Sequence, residues 1–175
     1  DTLSLHDALP IYPELRGKSI AVCGDPEARH GIVLTASYPA KRMGVKTGMP
    51  IWEAKQHCRD LIIVPASYGK YQKYSGYVRE VFNDYTDQVE SFGLDEAWLD
   101  ITGSVGLFGS PVKIAKEISV RIKRELGITV SIGVSFNKIT AKLGSDYKKP
   151  DAITVIEPDN YKQIVYPLPV GDLFQ

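Results

Sequence analysis

The segment 110–135 constrains the fold most, because it places an amphipathic helix directly before a strand. Ser110 and Pro111 are typical of the first positions of a helix, and Gly127 is typical of the residue after its end. From 128 to 135 the apolar residues alternate strictly, which predicts a half-buried antiparallel strand. Both elements have one apolar face, so we expect a layered α+β domain. The apolar stripe of the helix is Val112, Ala115, Ile118, Ile122 and Leu126.

The rest of the chain has the same mixed character. The order of elements predicts an antiparallel sheet with two long helices on one face, a ferredoxin-like arrangement. A small α/β subdomain is inserted before the first long helix. The predicted strands cover 18–24, 31–37, 61–65, 89–102 and 152–156, and the remaining predicted helices cover 38–44, 49–58, 67–88 and 137–150.

The composition excludes several classes of protein. The 21 basic and 21 acidic residues cancel, so no overall charge favours nucleic acid or membrane. Cys23 and Cys58 are isolated, and His57 beside Cys58 has no second pair to complete a zinc site. With no disulfide framework we expect a cytoplasmic protein. The apolar run 61–66 is too short to span a membrane, and a monomer is expected.

Residues 1–11 differ from the rest of the chain. Their sequence, DTLSLHDALPI, has no helix or strand period and no basic region typical of a signal peptide. It resembles the translated sequencing adapter that sometimes precedes metagenomic reading frames. We therefore predict that this segment is foreign to the protein.

Two adjacent carboxylates, Asp95 and Glu96, lie within an apolar strand pattern. On a regular strand they would point to opposite faces, but a bend at Gly93 would bring both to one rim of the sheet. There they could bind Mg²⁺, which prefers hard oxygen ligands. Taken alone, the pair favours a surface turn with solvated acids. The apolar flanks and the basic helix downstream favour the metal site.

Two Mg²⁺ ions about 3.5–4 Å apart serve phosphoryl and nucleotidyl transfer. Such a site normally needs a third carboxylate. Asp100 lies further along the same strand, and its position fits a structural acid that caps the next loop or forms a salt bridge with it.

Three stretches of the chain together resemble the Y-family of lesion-bypass DNA polymerases. They are GIVLTASYPAKRMGVKTGMPIWEAK (31–55), GLDEAWLDITGS (93–104) and VSIGVSFNKITAKLGSDYKKPD (130–151). They occur in the family's order, and the resemblance extends over residues 12–175. It implies a palm that bears catalytic acids and a fingers subdomain that closes over the incoming nucleotide.

The resemblance also implies roles for individual residues. The family's acid pair falls on Asp95 and Glu96, which would bind the two Mg²⁺ ions. The family's triphosphate clamp falls on Tyr38 and Lys149, and Thr35 matches a further phosphate contact.

The chain departs from the family pattern at three other positions. The family usually has arginine where this chain has Lys41, and Arg42 follows, so either residue could contact the triphosphate. Gly93 stands in place of a serine, and Trp98 in place of Tyr or Phe.

The resemblance further implies a division of the chain. Residues 12–67 would form the fingers with a preceding palm strand, 68–156 the palm, and 157–175 the start of a thumb. The family's first metal-bridging aspartate would align just before residue 1, and its ribonucleotide-rejecting aromatic residue near Ser4. The rest of the thumb and the little-finger domain would lie beyond residue 175, and we therefore expect this chain by itself to be inactive.

The implied partners are primer–template DNA and a deoxynucleoside triphosphate. A sliding clamp is a further candidate, whose binding peptide would lie beyond residue 175. Two other functions remain open: a palm-type nucleotidyl transferase or cyclase, and a non-catalytic nucleic-acid-binding module. The first should carry a glycine-rich acidic turn, and the second should not bind Mg²⁺ at Asp95 and Glu96.

Overall fold

The computed structural model describes residues 13–15, 17–24 and 31–172. The predicted foreign segment and the position of Ser4 lie outside these residues. The strands are β1 (Ile20–Cys23), β2 (Val33–Ala36), β3 (Ile62–Pro65), β4 (Val89–Phe92), β5 (Glu96–Leu99), β6 (Ile132–Ser135) and β7 (Ile153–Ile156). The helices are α1 (Tyr38–Arg42), α2 (Ile51–His57), α3 (Tyr68–Asn83), α4 (Val105–Phe108), α5 (Pro111–Leu126), α6 (Lys138–Tyr147) and α7 (Tyr161–Val165), with short 3₁₀ turns at Pro13–Leu15, Thr102–Ser104 and Val170–Asp172.

The described residues form two compact units. We call residues up to Lys73 the first unit and residues from Tyr74 the second unit. No helix in this described part is long and apolar enough to cross a membrane.

The first unit is built around a three-stranded sheet in the order β2-β1-β3. The central strand β1 is antiparallel to β2 and parallel to β3. All four of its residues are buried, which is the pattern of a strand covered on both faces. Cys23 and Cys58 lie in this core as buried thiols, together with Ala40 of α1 and Ala54 of α2.

In the second unit α3 and α5 share one core with the hairpin of β4 and β5. The ends of α5 follow the prediction: the Ser110 hydroxyl accepts a hydrogen bond from Lys113 N at 3.3 Å, and Gly127 adopts φ +70°. The buried stripe includes Ile114, which the sequence pattern omitted, while Val112 is half-buried. The core residues are Val78, Val81, Phe82, Tyr85, Ala97, Ile114, Ile118, Ile122, Ile128 and Val130.

The α+β class is confirmed, but the predicted antiparallel pairing of segment 128–135 is wrong. Only Ile132–Ser135 forms a strand, and it pairs with β7 in parallel. The reason is the connection: α6 lies between β6 and β7, and a helical crossover joins parallel strands. The alternation correctly predicts buried Ile128 and Val130, since it reports which face is covered and not the direction of the neighbouring strand.

Candidate active site

A tight hairpin turn brings the two predicted acids to one end of the β4–β5 ladder. Phe92 pairs with Glu96, so residues 93–95 form the loop. Gly93 adopts φ +69°, a conformation that side chains other than glycine rarely take. The predicted break at Gly93 is therefore confirmed. Asp95 is the last loop residue and Glu96 the first of β5, and both are half-buried.

Helix α6 lies against β6 at very short range and carries the basic partners of these acids. A Cβ atom on Gly133 of β6 would stand 1.8 Å from Ala141 O and 2.7 Å from Ser145 N. Only glycine allows this approach. At the start of α6 the Asn137 side chain accepts a hydrogen bond from Thr140 N at 2.9 Å, which fixes where the helix begins.

An alternating chain of charges links the hairpin to α6. The Lys142 ammonium donates to Glu96 Oε1 at 2.6 Å and lies 3.2 Å from Asp146 Oδ2. Lys149 Nζ lies 2.5 Å from Asp146 Oδ1. We call these four residues, together with Asp95, the acid–lysine network.

Sequence reasoning named three members of the network and missed Lys142 and Asp146. The signal that could have identified them is their spacing, because residues four apart lie on one face of a helix. Lys149 follows Asp146 by three residues, as Asp146 follows Lys142 by four. The prediction had treated Lys149 as an isolated phosphate contact.

The network shifts the pKa values of its members in opposite directions. Burial, and then the neighbouring charge of Glu96, raise the pKa of Asp95. Burial acts to raise the pKa of Asp146 as well, but its bonds with Lys149 and Lys142 outweigh burial, and the pKa is lowered. The pKa of Lys142 is raised because its bonds with Glu96 and Asp146 overcome the effect of burial. Asp95 is thus an acid whose ionised form its surroundings disfavour.

Two hard carboxylates side by side, one of them with a raised pKa, fit a divalent cation. A cation would relieve the repulsion between Asp95 and Glu96 that the pKa records. Within residues 13–15, 17–24 and 31–172 no group of three or more His, Cys, Asp or Glu side chains could hold a metal ion. Among the described residues, the hairpin turn thus brings together two candidate ligands, Asp95 and Glu96.

Asp100 behaves as the structural acid that the sequence predicts. Its Oδ1 accepts a hydrogen bond from Thr102 N at 2.9 Å, and this bonding lowers its pKa. Asp100 thus caps the 3₁₀ turn that follows β5.

The remaining predicted site residues lie in the first unit. Tyr38 begins α1, directly after Ser37, whose hydroxyl accepts from Ile20 N at 2.9 Å and so fixes the start of the helix to β1. The Lys41 ammonium lies 5.7 Å from the centre of the Tyr38 ring. Arg42 is exposed at the end of α1.

Thr35 differs from the predicted phosphate contacts on α1 because it is buried, with only 6% of its surface exposed. It pairs with Val22 across β1 and β2. The structure therefore groups Tyr38, Lys41 and Arg42 on one short helix, and places Thr35 in the adjoining strand.

Comparison with known proteins gives one family. A model of the impB/mucB/samB family matches residues 7–146. DNA polymerase IV of Acetivibrio thermocellus is 58% identical over 162 residues, which are 93% of this chain and 41% of that protein. DNA polymerase IV 1 of Bacillus subtilis is 42% identical over 161 residues, 92% of this chain and 39% of that protein. The chain thus spans about two fifths of the length of these curated relatives.

Solved structures agree with the sequence matches. The structure titled "Crystal Structure of DinB from Sulfolobus solfataricus" superposes with a TM-score of 0.86 at 34% identity, over 95% of this chain and 49% of that one. The structure titled "Insertion ternary complex of Dbh DNA polymerase" gives the same values. The family match begins at residue 7, inside the segment 1–11, whose foreign origin stays a prediction.

Proposed function

The chain belongs to the impB/mucB/samB family, the Y-family of DNA polymerases, and from this membership we propose that it is the fingers and palm of a template-directed translesion DNA polymerase. The polymerase would join a deoxynucleoside triphosphate to a primer 3′-hydroxyl on a DNA template. The observation that carries the proposal is the hairpin turn that holds Asp95 and Glu96 together beside Lys142 and Lys149.

The division of the chain follows the family pattern. We propose residues 12–67 as the fingers with a preceding palm strand, 68–156 as the palm and 157–175 as the start of the thumb. The acid–lysine network then belongs to the palm, and α1 to the fingers.

Asp95 and Glu96 are the proposed metal ligands. Mg²⁺, when bound, would activate the attacking hydroxyl and neutralise phosphate charge. The hairpin holds the two half-buried acids before any ligand arrives, and this preorganisation is how phosphoryl-transfer sites gain most of their rate. Lys149 in the second unit would donate to phosphate oxygens.

The proposed phosphate contacts of the first unit are Thr35, Tyr38, Lys41 and Arg42. The Tyr38 hydroxyl would donate one hydrogen bond, and the two cations on α1 would supply charge. Arg42 can form two parallel bonds to one phosphate, whereas Lys41 offers a single point charge.

We further propose that this chain alone does not extend primers. The support is chemical: a two-metal site normally needs a bridging third carboxylate, and the part of the chain that the structure describes has no group of three or more His, Cys, Asp or Glu side chains that could hold a metal. A standard primer-extension assay checks this, and detectable extension by the 175 residues would overturn it.

Nucleotide binding tests the function on the chain itself. A titration with a deoxynucleoside triphosphate, with and without Mg²⁺, should shift the amide resonances of residues 93–96 and of Lys149 only when Mg²⁺ is present. E96Q should remove this dependence. D100N is the matched control, because Asp100 directly follows the same strand β5 but bonds to its own turn, and it should leave the Mg²⁺ dependence of these shifts unchanged. Equal shifts without Mg²⁺ would favour the non-catalytic binding module.

A chimera tests catalysis. Residues 12–175 would replace the matching segment of the Acetivibrio thermocellus DNA polymerase IV, which supplies the rest of its own chain. We expect Mg²⁺-dependent primer extension by the chimera, and its loss in D95N and E96Q. An inactive but folded chimera would contradict the proposal.

A further inference from the structure

Lys142 is shared between two acids on different elements. Its ammonium lies 2.6 Å from Glu96 on β5 and 3.2 Å from Asp146 on its own helix α6. The side chains of Lys142 and Glu96 are only 22% and 15% exposed, so water screens their attraction less than at an open surface. The predicted site residues do not include this lysine.

We propose that Lys142 is a positioning residue that competes with a divalent cation for Glu96 and transfers to Asp146 when the cation binds. This inference rests on the proposed function, because that function makes Glu96 a metal ligand. The inference adds Lys142 to the proposed site, as a residue whose charge sets the affinity of that site for the divalent cation.

A second carboxylate lies within reach of the Lys142 ammonium. A cation at Glu96 and an ammonium within 3 Å of the same carboxylate repel each other. The second acceptor, Asp146 Oδ2, is already within 3.2 Å, so Lys142 can leave Glu96 and keep an ionic partner. The flexible four-carbon stem of lysine allows this movement.

The transfer would also affect Lys149. Its ammonium is bonded to Asp146 Oδ1, so after the transfer one carboxylate serves two ammonium groups. Asp146 then holds Lys149 less strongly, which favours its release toward phosphate. Metal binding and phosphate binding are in this way coupled through Asp146.

A purely structural ion pair would have the opposite effect on metal affinity. If Lys142 only holds the Glu96 carboxylate in its orientation, removal of the ammonium weakens metal binding. If Lys142 competes with the metal, its removal strengthens metal binding. The sign of the change therefore separates the two roles.

The experiment is a Mn²⁺ titration of the full chain, followed by the loss of the electron paramagnetic resonance signal of aqueous Mn²⁺. We expect Lys142→Met to tighten binding by about tenfold, because the half-buried ion pair that the metal must otherwise break is somewhat stronger than an exposed one. Methionine keeps most of the stem that packs at this half-buried position. Lys142→Arg keeps the charge and should bind Mn²⁺ as the unchanged chain does.

Lys138→Met is the matched control. Lys138 lies one turn earlier on α6 and pairs with Glu90, not with Glu96. The variant removes the same charge from the same helix, so it measures the general electrostatic effect. The proposal requires a clearly larger effect at Lys142. Far-ultraviolet circular dichroism of each variant verifies that it is folded.

A double-mutant cycle tests the transfer to Asp146. D146N should weaken Mn²⁺ binding, and the loss should be larger in the unchanged chain than in the Lys142→Met background. Equal losses in both backgrounds would show that Asp146 acts through its charge alone, and this outcome overturns the transfer.

Failure of the inference differs from failure of the proposed function. If E96Q removes Mn²⁺ binding but Lys142→Met behaves like Lys138→Met or binds more weakly, the positioning role is wrong and the metal site stands. If E96Q leaves Mn²⁺ binding unchanged, the metal site itself is wrong, and the role of Lys142 falls with it.

Discussion

The two groups of candidate site residues differ in how the chain holds them. The acid–lysine network of the second unit is tied across a hairpin and a helix by ion pairs of 2.5 to 3.2 Å. In the first unit Lys41 and Arg42 are exposed on a helix of only five residues. The acid–lysine network is therefore held by two elements, the hairpin and α6, whereas Lys41 and Arg42 are held by the short helix α1 alone.

The difference follows from the cost of burying charge. Half-buried carboxylates need counter-charges in place before any ligand arrives, so the fold builds lysines around them. Exposed cations keep their water and need no such framework. We therefore expect substitutions in the second unit to alter stability and pH dependence, whereas those in α1 should alter ligand affinity alone.

The largest expected effect is that of Gly133→Ala. The new Cβ would stand 1.8 Å from Ala141 O, so α6 must move away from β6 and the acid–lysine network must separate. We expect a loss of about 3 kcal/mol or more in the free energy of unfolding of the second unit. Urea denaturation followed by Trp98 fluorescence, in a Trp52→Phe background, reports on that unit.

Gly76→Ala is the control for this change. Gly76 lies inside α3, and apart from its chain neighbours and the backbone of its own helix no atom would come within 4 Å of its added Cβ. Alanine favours a helix by up to about 1 kcal/mol over glycine, so this variant should be as stable or more stable. If Gly133→Ala unfolds at the same urea concentration as Gly76→Ala, α6 does not approach β6 as described.

The second expected effect is on how the stability of the second unit depends on pH. D146N removes a carboxylate whose pKa is lowered by Lys149 and Lys142, and since water at this exposed position screens the bonds, it should destabilise the second unit by only about 0.5–1 kcal/mol at pH 7. A lowered folded pKa gives stability that is present above the unfolded value near 3.9 and is lost as pH falls through the folded pKa.

Urea denaturation of D146N and the unchanged chain at pH 7 and near pH 3 measures this effect. The difference between the two proteins should shrink at the lower pH. A difference that is the same at both values would show that the ionic bonds of Asp146 do not cause it.

The contribution of Asp95 to the stability of the folded chain should change with pH in the opposite direction to that of Asp146. Burial and the charge of Glu96 raise its pKa, so its ionisation destabilises the folded chain, and the penalty appears as pH rises from about 3.9 through the raised folded pKa. D95N should therefore stabilise the chain at pH 7, by about 0.5–1 kcal/mol, and give no gain below pH 3.9. Thermal unfolding at the two pH values checks both parts.

D100N is the matched comparison for D95N. The pKa of Asp100 is lowered by its bonds with Thr102, so its loss should reduce the melting temperature at pH 7. If D95N and D100N shift the melting temperature in the same direction, Asp95 is not a strained acid of a binding site.

Local chemistry made part of this structure predictable. The limits of α5 follow from Ser110, Pro111 and Gly127, because caps act within one turn of the chain. The bend that joins Asp95 and Glu96 follows from Gly93 for the same reason. These features depend on neighbours in sequence, which a single chain displays.

Features set by distant contacts were predicted less well. The alternation of residues 128–135 carries no record of the strand that pairs with β6; the parallel pairing follows instead from the crossover through α6. The bond from Lys142 to Glu96 joins residues 46 apart in sequence, and it exists only because Gly133 lets α6 come close. The resemblance to a family located the acids, but the structure was needed to reveal their counter-ions.

The smallest expected effect on stability is in α1. Arg42 is exposed at the end of that helix, so R42A should change the free energy of unfolding by less than about 0.5 kcal/mol. Binding of a Mg²⁺–deoxynucleoside triphosphate should weaken more in R42A than in K41A, because a guanidinium group can bond two phosphate oxygens at once. Parallel titrations of the two variants decide between these neighbours. A larger loss in K41A would give the clamp role to Lys41, and a loss of stability in R42A would show that α1 too is held by its charges.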